Sequence, residues 1–360
     1  MSKTRVAIVF GGRSTEHEIS LISAQGILEN INRERYDVIP IKIDIKGHWF
    51  LQKSEDINSS DGTAITLIHG EHNARILDIN SGNILGTVDV VFPVLHGVFG
   101  EDGTIQGLLK MLNVAFVGCG VLASSTCMDK DVTKRLLRDA GIDIAPYLCA
   151  TWTHIPSFEK VEQALGLPLF IKPANLGSSV GVHKVNSKPE YLSALEDALR
   201  YDGKVLIEQN IDGREIEVAV MGNEKPQASF PGEIVTVGSF YDFESKYVSK
   251  DASSIHIPAK LTEDQIVEIR VTATKAYLTL GCEGLARVDF FLSNDGHIMI
   301  NEINTIPGFT PISMYPKMWE ATGVGYTELI ELLIEFGIER YKREQSLNVV
   351  AKEVKKGGQK

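Results

Sequence analysis

The sequence of 360 residues contains no long apolar run and no feature typical of a secreted protein. A helix that spans a membrane needs about 20 consecutive apolar residues, and no run of even about 18 occurs here. The apolar run at residues 6–10 is short, and glycines and charged residues follow it at once, which is not typical of a signal peptide. We therefore expect a cytoplasmic protein that does not enter a membrane.

Cysteine and positive charge are also scarce. The four cysteines, at positions 119, 127, 149 and 282, show no C-x-x-C spacing and are typical of free thiols rather than of a disulfide framework or a zinc site. Lys+Arg 36 against Asp+Glu 47 gives a net charge of −11, and a net-acidic chain is a poor binder of nucleic acid. A nucleotide is not excluded, because a small pocket can be locally basic.

The composition is otherwise that of a globular protein, with 43% apolar and 23% charged residues, and the length indicates two or three domains. In the first third, apolar strands alternate with helical stretches, which predicts a parallel sheet covered on both faces. A helix is expected to open near Thr15, with Glu18 at capping-box spacing. Further helices are expected over residues 128–140 and over 262–279, the latter capped by Thr262, and residues 54–86 suggest a hairpin or surface insertion. The predicted units are an N-terminal α/β domain (1–125), a central subdomain (126–213), a C-terminal α+β subdomain (214–350) and a tail (351–360).

Residues 287–304 predict a β-hairpin. Two runs of alternating apolar residues flank Asp295 and Gly296, a preferred dipeptide of two-residue turns. A two-residue turn pairs Asn294 with His297 and thereby sets the register of the whole hairpin.

That register places four polar side chains on one face of the hairpin. Asp289 lies opposite Glu302, and Arg287 lies opposite Asn304. Facing carboxylates repel unless a cation lies between them, and an oxygen-donor set of this kind suits Mg²⁺ when phosphates complete its shell. Arg287 could stabilise negative charge that develops on a transferring group. The alternative is a solvated hairpin face with one salt bridge.

A Gly/Ser loop at residues 177–181 joins two β-like runs. It is not a Walker A loop, because no helix follows it. A turn of this composition can still present backbone amides and hydroxyls to phosphate oxygens, with Lys172 as a nearby point charge. The alternative is an ordinary hairpin tip.

Three further segments permit a functional or a structural interpretation. Residues 118–123 fit the dinucleotide fingerprint G-x-G-x-x-A, but no acidic strand end follows at the right distance, so a tight turn is the better interpretation. The aromatic and charged segment 239–249 could cover a site as a lid or be an ordinary surface loop. His96 follows a predicted strand, where ligands bind in parallel sheets, although a lone histidine is more often structural.

Seven motifs in order resemble the D-alanine–D-alanine ligases of the ATP-grasp superfamily, over about residues 5–340. They lie at residues 11–20, 96–103, 128–130, 177–181, 241–247, 287–289 and 301–308. The resemblance implies an ATP-grasp fold, of mixed α/β and α+β class, with an N-terminal parallel-sheet domain.

The resemblance also implies roles for residues at matching positions. The ATP contacts would be Lys130, Lys172, Ser179, Glu208, Glu215 and Lys246, and the metal ligands Asp289, Glu302 and Asn304. Glu16, Ser178, Tyr247 and Arg287 would be catalytic, with Glu16 holding the ammonium of the first D-alanine and Arg287 and the Gly308 amide stabilising the oxyanion. His96, Gly308, Ser313 and Met314 would contact substrate.

The implied reaction joins two D-alanine molecules through an acylphosphate, with ATP and two Mg²⁺ or Mn²⁺ ions, for peptidoglycan synthesis. The resemblance further implies a homodimer. A related ligase that takes D-serine or D-lactate as second substrate is the main alternative, although the Tyr247-containing pattern favours an amine as second nucleophile. A dinucleotide-dependent oxidoreductase and a non-catalytic nucleotide-binding regulator are the alternatives from other classes.

Overall fold

The computed structural model describes residues 3–59, 61–236 and 253–348. Within them the chain forms three sheets, which lie in residues 4–116, 147–209 and 213–304. The domain boundaries predicted above remain predictions. None of the helices in the described ranges is both long and apolar enough to cross a membrane.

The N-terminal sheet has eight strands in the order β6-β5-β4-β3-β2-β1-β7-β8. Only the part made of β2, β1, β7 and β8 is parallel, as predicted for the first third. Residues 54–86 are not a separate insertion, because their strands continue the same sheet in antiparallel pairing. The strands are β1 (Thr4–Gly11), β2 (Tyr36–Ile43), β3 (Trp49–Gln52), β4 (Gly62–His69), β5 (Ala74–Asp78), β6 (Ile84–Val88), β7 (Val90–Val94) and β8 (Ala115–Phe116).

Three helices accompany this sheet: α1 (His17–Asn30), α2 (Thr104–Met111) and α3 (Val121–Met128). The expected capping box of Thr15 and Glu18 does not form, because the N-cap of α1 is Glu16 and no side chain caps it. The start of α1 therefore places the Glu16 side chain at the carboxyl ends of β1 and β7, where ligands bind in parallel sheets.

The central sheet has the order β11-β10-β12-β9 and is antiparallel. The helix predicted over residues 128–140 is broken at Asp129, whose carboxylate accepts hydrogen bonds from two backbone amides and caps the next helix. The elements are α4 (Lys130–Asp139), β9 (Tyr147–Thr151), α5 (Phe158–Leu165), β10 (Leu169–Pro173), β11 (His183–Val185), α6 (Lys188–Tyr201) and β12 (Lys204–Gln209).

The C-terminal sheet has the order β16-β15-β13-β17-β18, and β14 pairs with β13. Thr262 caps the following helix through a capping box with Gln265, as the sequence predicts for Thr262. The elements are β13 (Gly213–Gly222), β14 (Gln227–Ala228), β15 (Gly232–Thr236), β16 (Ser253–His256), α7 (Glu263–Thr279), β17 (Gly284–Ser293), β18 (Ile298–Asn304), α8 (Met314–Thr322) and α9 (Tyr326–Gln345).

One apolar core joins the two ends of the chain. Phe10 of β1 and Ile27 of α1 belong to the same buried cluster as Trp319 of α8 and Leu333 of α9. Because this cluster removes large side chains of both regions from water, it fixes the N-terminal sheet against the C-terminal helices. The site described below lies where these regions meet.

Candidate active site

A cavity of about 520 Å³ lies between the C-terminal sheet and the start of α1. Carboxylates outnumber basic side chains along its wall, so the cavity suits cations. It brings together most of the residues predicted to form the site, namely Glu16, His96, Ser178, Glu215, Arg287, Asp289, Glu302, Asn304, Gly308, Ser313 and Met314.

The predicted pairing of Asp289 with Glu302, and of Arg287 with Asn304, is confirmed on β17 and β18. The predicted two-residue turn is wrong, since Ser293 and His297 close a three-residue loop with Gly296 at φ +89. A β-bulge next to Asp289 compensates for this difference.

Arg287 neutralises the acidic face of the hairpin. Its Nε and Nη2 donate hydrogen bonds to both Asp289 oxygens at 2.7 Å, and Nε lies 3.0 Å from Glu217 Oε2. Asn304 also donates to Asp289, at 2.9 Å. Burial opposes the guanidinium charge, but Asp289 and Glu217 outweigh burial and raise the pKa of Arg287 well above its ordinary value. Arg287 therefore stays charged at any working pH.

A buried row of lysines and a glutamate faces β18. Lys172 Nζ lies 2.6 Å from Glu208 Oε2 and donates to Asn301 Oδ1 at 3.1 Å. Lys134, fully buried, lies 2.8 Å from the other Glu208 oxygen. Burial would raise the pKa of Glu208, but these two lysines outweigh it and lower the pKa. Glu208 is thus ionised and paired inside the protein.

Lys130 extends this row toward the hairpin. Its ammonium donates to the Leu176 carbonyl at 2.7 Å and lies 3.3 Å from Glu302 Oε2. Lys130 and Lys172 thus lie against two consecutive residues of β18, Glu302 and Asn301, where cations can face phosphate oxygens.

The Gly/Ser loop contacts Glu16. The two β-like runs predicted on either side of it are the strands β10 and β11, which pair antiparallel, and Ser178 and Ser179 adopt positive φ of 52° and 59°. Such backbone conformations are uncommon for serine and are found mostly at functional sites. Ser178 donates a hydrogen bond to Glu16 Oε1. A Cβ at Gly97 would lie 2.4 Å from Glu16 Oε2, so glycine is needed there.

His96 is buried, and both of its ring nitrogens contact protein groups. Nδ1 lies 2.9 Å from the Ile306 carbonyl, and Nε2 lies 2.9 Å from Ser23 Oγ. Burial lowers the pKa of His96, but Glu101, with an oxygen 3.8 Å away, outweighs burial and raises it. Burial raises the pKa of Glu101, and Glu16 raises it further, against the effect of His96.

The segment after β18 leads into α8. Ser313 Oγ accepts a hydrogen bond from the Thr310 amide at 3.0 Å and lies 2.8 Å from Thr310 Oγ1. Ser313 is the N-cap of α8, but its side chain caps no amide of that helix. The first amides of α8, including that of Met314, are therefore available to an anion such as a carboxylate.

The remaining predicted positions divide into two groups. Ser179 lies in the Gly/Ser loop, whereas Lys246, Tyr247 and the rest of the segment 239–249 lie outside the described residues.

The dinucleotide interpretation of residues 118–123 is not supported. The Gly118 carbonyl accepts a hydrogen bond from buried Arg340, and a Cβ at Gly284 would lie 3.1 Å from Gly118, so Gly118 packs directly against the backbone of β17.

Three residues of this region had no role assigned from the sequence: Glu101, Lys134 and Glu217. Glu217 pairs with Asp289 across β13 and β17, a register that sequence alternation alone cannot set. Glu101 lies inside the motif at 96–103, and this position is the sequence signal from which a role for Glu101 could have been predicted.

Comparisons with known proteins agree with this geometry. Two family models match, "D-ala D-ala ligase N-terminus" over residues 5–119 and "D-ala D-ala ligase C-terminus" over residues 136–335. The D-alanine–D-alanine ligase A of Escherichia coli K12 is 50% identical, over 96% of this chain and 99% of that protein.

Solved structures give the same result. The D-alanine–D-alanine ligase of Coxiella burnetii is similar with a TM-score of 0.87 and 36% identity, over 96% of this chain and 97% of that chain. The VanG D-Ala:D-Ser ligase of Enterococcus faecalis has a TM-score of 0.84 and 36% identity, over 93% of this chain and 100% of that chain. Motif order, cavity and both family models lead to one conclusion: the chain belongs to the D-alanine–D-alanine ligase family of ATP-grasp enzymes.

Proposed function

We propose that the chain joins two D-alanine molecules into D-alanyl-D-alanine with consumption of ATP, and so supplies a precursor of peptidoglycan. One observation supports this proposal: Glu16, Arg287, Gly308 and the oxygen donors of the hairpin line a single cavity. Glu16 would bind an amino group there, and Arg287 with the Gly308 amide would stabilise an oxyanion. The identity to D-alanine–D-alanine ligase A over nearly the whole chain supports the same reaction.

ATP would bind between the central and C-terminal sheets. Lys130 and Lys172 lie beside β18 and would contact the phosphates, and Ser179 would contribute from the Gly/Ser loop. Glu215 lines the cavity, Glu208 pairs with Lys172, and both would contact the adenosine end of ATP. Lys246 and Tyr247 would add contacts to phosphate and to the Ser178–Glu16 pair.

The hairpin fits Mg²⁺ or Mn²⁺. Asp289, Glu302 and Asn304 offer two facing carboxylates and an amide, which are hard oxygen donors. In the described part of the chain no three acidic, histidine or cysteine side chains form a complete metal site by themselves. The set therefore needs phosphate oxygens to complete its shell, as is usual for Mg²⁺. Bound there, the metal would neutralise phosphate charge and polarise the bond to be broken.

The chemistry would proceed in two steps. Glu16 orients the first D-alanine through its ammonium, and the substrate carboxylate attacks the γ-phosphorus of ATP, so that a C–O–P link forms and ADP leaves. The amine of the second D-alanine, after losing a proton, then forms the C–N bond. Arg287 and the Gly308 amide stabilise the tetrahedral oxyanion, and phosphate leaves as the C–O bond breaks.

The second D-alanine would place its carboxylate at Ser313 and the Met314 amide, at the start of α8. The D-serine alternative retains one supporting observation, the likeness to the VanG ligase. We also propose a homodimer located in the cytoplasm, where ATP is available and where the free cysteines of the described ranges suit a reducing environment.

A coupled assay of ADP release tests the proposal, with D-alanine, D-serine and D-lactate each offered as the second substrate. We expect ADP release with D-alanine alone, with D-alanyl-D-alanine as product, and loss of turnover in excess EDTA. A higher kcat/KM for D-serine than for D-alanine as second substrate would make the chain a D-Ala:D-Ser ligase. A rate of ADP release that does not depend on D-amino acids would refute the ligase proposal.

A further inference from the structure

Residues 306–309, referred to here as the 306–309 loop, connect β18 to the segment before α8 and carry the Gly308 amide. Two side chains from outside the C-terminal sheet hold the ends of this loop. We infer that Ser23 of α1, together with His96, positions the Gly308 amide for the oxyanion. This inference rests on the role proposed above for Gly308.

The contacts form a continuous chain. The Phe309 amide donates to Ser23 Oγ at 3.2 Å, Ser23 Oγ lies 2.9 Å from His96 Nε2, and His96 Nδ1 lies 2.9 Å from the Ile306 carbonyl. Ser23 is fully buried and His96 is 5% exposed, so water does not compete for these groups. The two residues on either side of Pro307 and Gly308 are thus each held by a hydrogen bond.

Hydrogen-bond chemistry fixes two donors in this chain. The Ile306 carbonyl can only accept, so Nδ1 of His96 carries a hydrogen, and the Phe309 amide donates to Ser23 Oγ. Ser23 Oγ gives its own hydrogen to Nε2 when His96 is neutral and accepts one from Nε2 when His96 is protonated. Each member has a partner in this arrangement, and removal of one leaves a buried polar group without one.

Packing holds the same loop from a second direction. Tyr326 of α9 donates a hydrogen bond to the Phe309 carbonyl at 2.6 Å, and the Phe309 ring contacts Phe92, Tyr315 and Tyr326. A Cβ at Gly26 of α1 would lie 2.6 Å from the Phe309 carbonyl, so α1 approaches the loop at backbone contact. The loop cannot shift without breaking buried contacts with α1 and α9.

Through these contacts Ser23 should affect catalysis, although Ser23 itself does not contact substrate. An oxyanion donor acts only when it is held at the position that the oxyanion will occupy, and loss of one donor typically lowers kcat by about 10²–10³-fold. Ser23→Ala releases the Phe309 amide without removing Gly308, so we expect a smaller loss, roughly 10- to 100-fold in kcat. ATP contacts lie elsewhere, so the KM for ATP should stay unchanged.

The test compares Ser23→Ala with Ser124→Ala by steady-state kinetics and by titration with a D-alanyl-D-alanine phosphinate analogue in the presence of ADP and Mg²⁺. Ser124 is a suitable control, because it is equally buried and its hydroxyl has no hydrogen-bond partner in the described structure. If Ser23 positions the oxyanion donor, phosphinate affinity falls by the same factor as kcat/KM. A merely structural role would lower thermal stability without that proportionality, and such a result would overturn the inference.

Three further variants keep the test decisive if Ser23→Ala does not fold. Tyr326→Phe keeps the ring and removes the hydrogen bond to the same residue, so it should lower kcat in the same direction. His96→Asn keeps an N–H donor near the Nδ1 position, whereas His96→Gln places its donor near Nε2. We expect His96→Asn to retain more activity, and equal losses in both variants would contradict the proposed chain of contacts.

Arg287→Lys separates this inference from the proposed function. If Arg287→Lys weakens phosphinate binding and neither Ser23→Ala nor Tyr326→Phe does, the oxyanion site is real and the positioning role is wrong. If none of the three variants weakens phosphinate binding, the oxyanion assignment of Arg287 and Gly308 fails as well.

Discussion

Both carboxylate oxygens of Asp289 accept hydrogen bonds from the guanidinium of Arg287, two residues earlier on the same strand. Asp289 thus faces Glu302 as a paired group rather than as a bare charge. Removal of one facing carboxylate therefore does not simply relieve repulsion, because it also leaves the buried Arg287 with fewer partners. The two carboxylates are expected to respond differently to mutation.

Asp289→Asn and Glu302→Gln should both abolish turnover, since each removes a proposed metal ligand. Asp289→Asn should also lower the free energy of unfolding of the ligand-free protein, by about 1.5–3 kcal/mol, the scale of hydrogen bonds to charged groups. Glu302→Gln should have a smaller effect on stability, because its Lys130 partner lies at 3.3 Å. Chemical denaturation and ADP release measure both effects, with the exposed loop variant Asp295→Asn as control; full activity in Glu302→Gln would refute its role as ligand.

Glu16→Gln should weaken binding of the first D-alanine by about 1.5–3 kcal/mol, roughly a 10- to 150-fold rise in its KM, because an ammonium loses a charged partner. The fold should persist, since the amide oxygen can still accept from Ser178. Glu18→Gln, exposed on the same helix turn, is the control. N-acetyl-D-alanine accepted as readily as D-alanine in the first position would contradict the assignment.

The hairpin at residues 287–304 shows which features of the site can be predicted from the sequence and which cannot. Alternation and the pair Asp295 and Gly296 predict a hairpin with Asp289 opposite Glu302, and that pairing is present. The turn contains one residue more than predicted, and the bulge takes up one residue on β18, so the two differences cancel at the site. A bulge depends on tertiary contacts such as that of Asn301 with Lys172, which no local pattern contains.

Other parts of the site were beyond local patterns for the same reason. Ser23 and Phe309 are separated by 286 residues, and their hydrogen bond exists only because α1 packs against the loop after β18. In contrast, Thr262 was predicted correctly as a helix cap, because a cap is set by residues within one turn. Features set by neighbouring residues, such as a helix cap, could thus be predicted from the sequence, whereas contacts between distant segments could be identified only from the structure.

Glu233 should contribute stability at neutral pH that is lost in acid. Its hydrogen bonds with Arg214, at 2.7 and 2.8 Å, hold the pKa of this carboxyl below its ordinary value of 4.5. A lowered folded-state pKa means that the stabilisation is complete above the unfolded-state value and is lost as pH falls through the folded-state value. Glu233→Gln should therefore destabilise the protein at pH 7, by about 1 kcal/mol because solvent screens the partly exposed Arg214.

Chemical denaturation of wild type and Glu233→Gln between pH 7 and pH 3 measures this effect. The difference between the two proteins should shrink as the pH falls below 4.5. Glu159→Gln removes an exposed partner of Lys188 and should change stability less at every pH. A difference for Glu233→Gln that stays constant over the whole range would show that the charge is not its cause.

Gly308→Ala should impair binding of the second D-alanine. The added Cβ would lie 2.7 Å from Ser313 Oγ, closer than such contacts allow, so the hydroxyl must leave its position beside Thr310. Ser313 is the side chain proposed to receive the second carboxylate, and its displacement should raise the KM for the second D-alanine about tenfold, the equivalent of roughly one hydrogen bond. The KM for ATP should stay unchanged, because no proposed ATP contact borders Gly308.

The control for this substitution is Gly107→Ala in α2. Nothing lies within 4 Å of a Cβ at Gly107, so the change should leave kinetics unaltered and stabilise the helix by about 0.5–1 kcal/mol. The rate of ADP release as a function of D-alanine, fitted to two sites, separates the two substrate affinities, and Ser313→Ala should reproduce the effect of Gly308→Ala. If Gly308→Ala instead raises the KM for ATP as much as that for D-alanine, the disturbance is general, and Ser313 does not define the second substrate site.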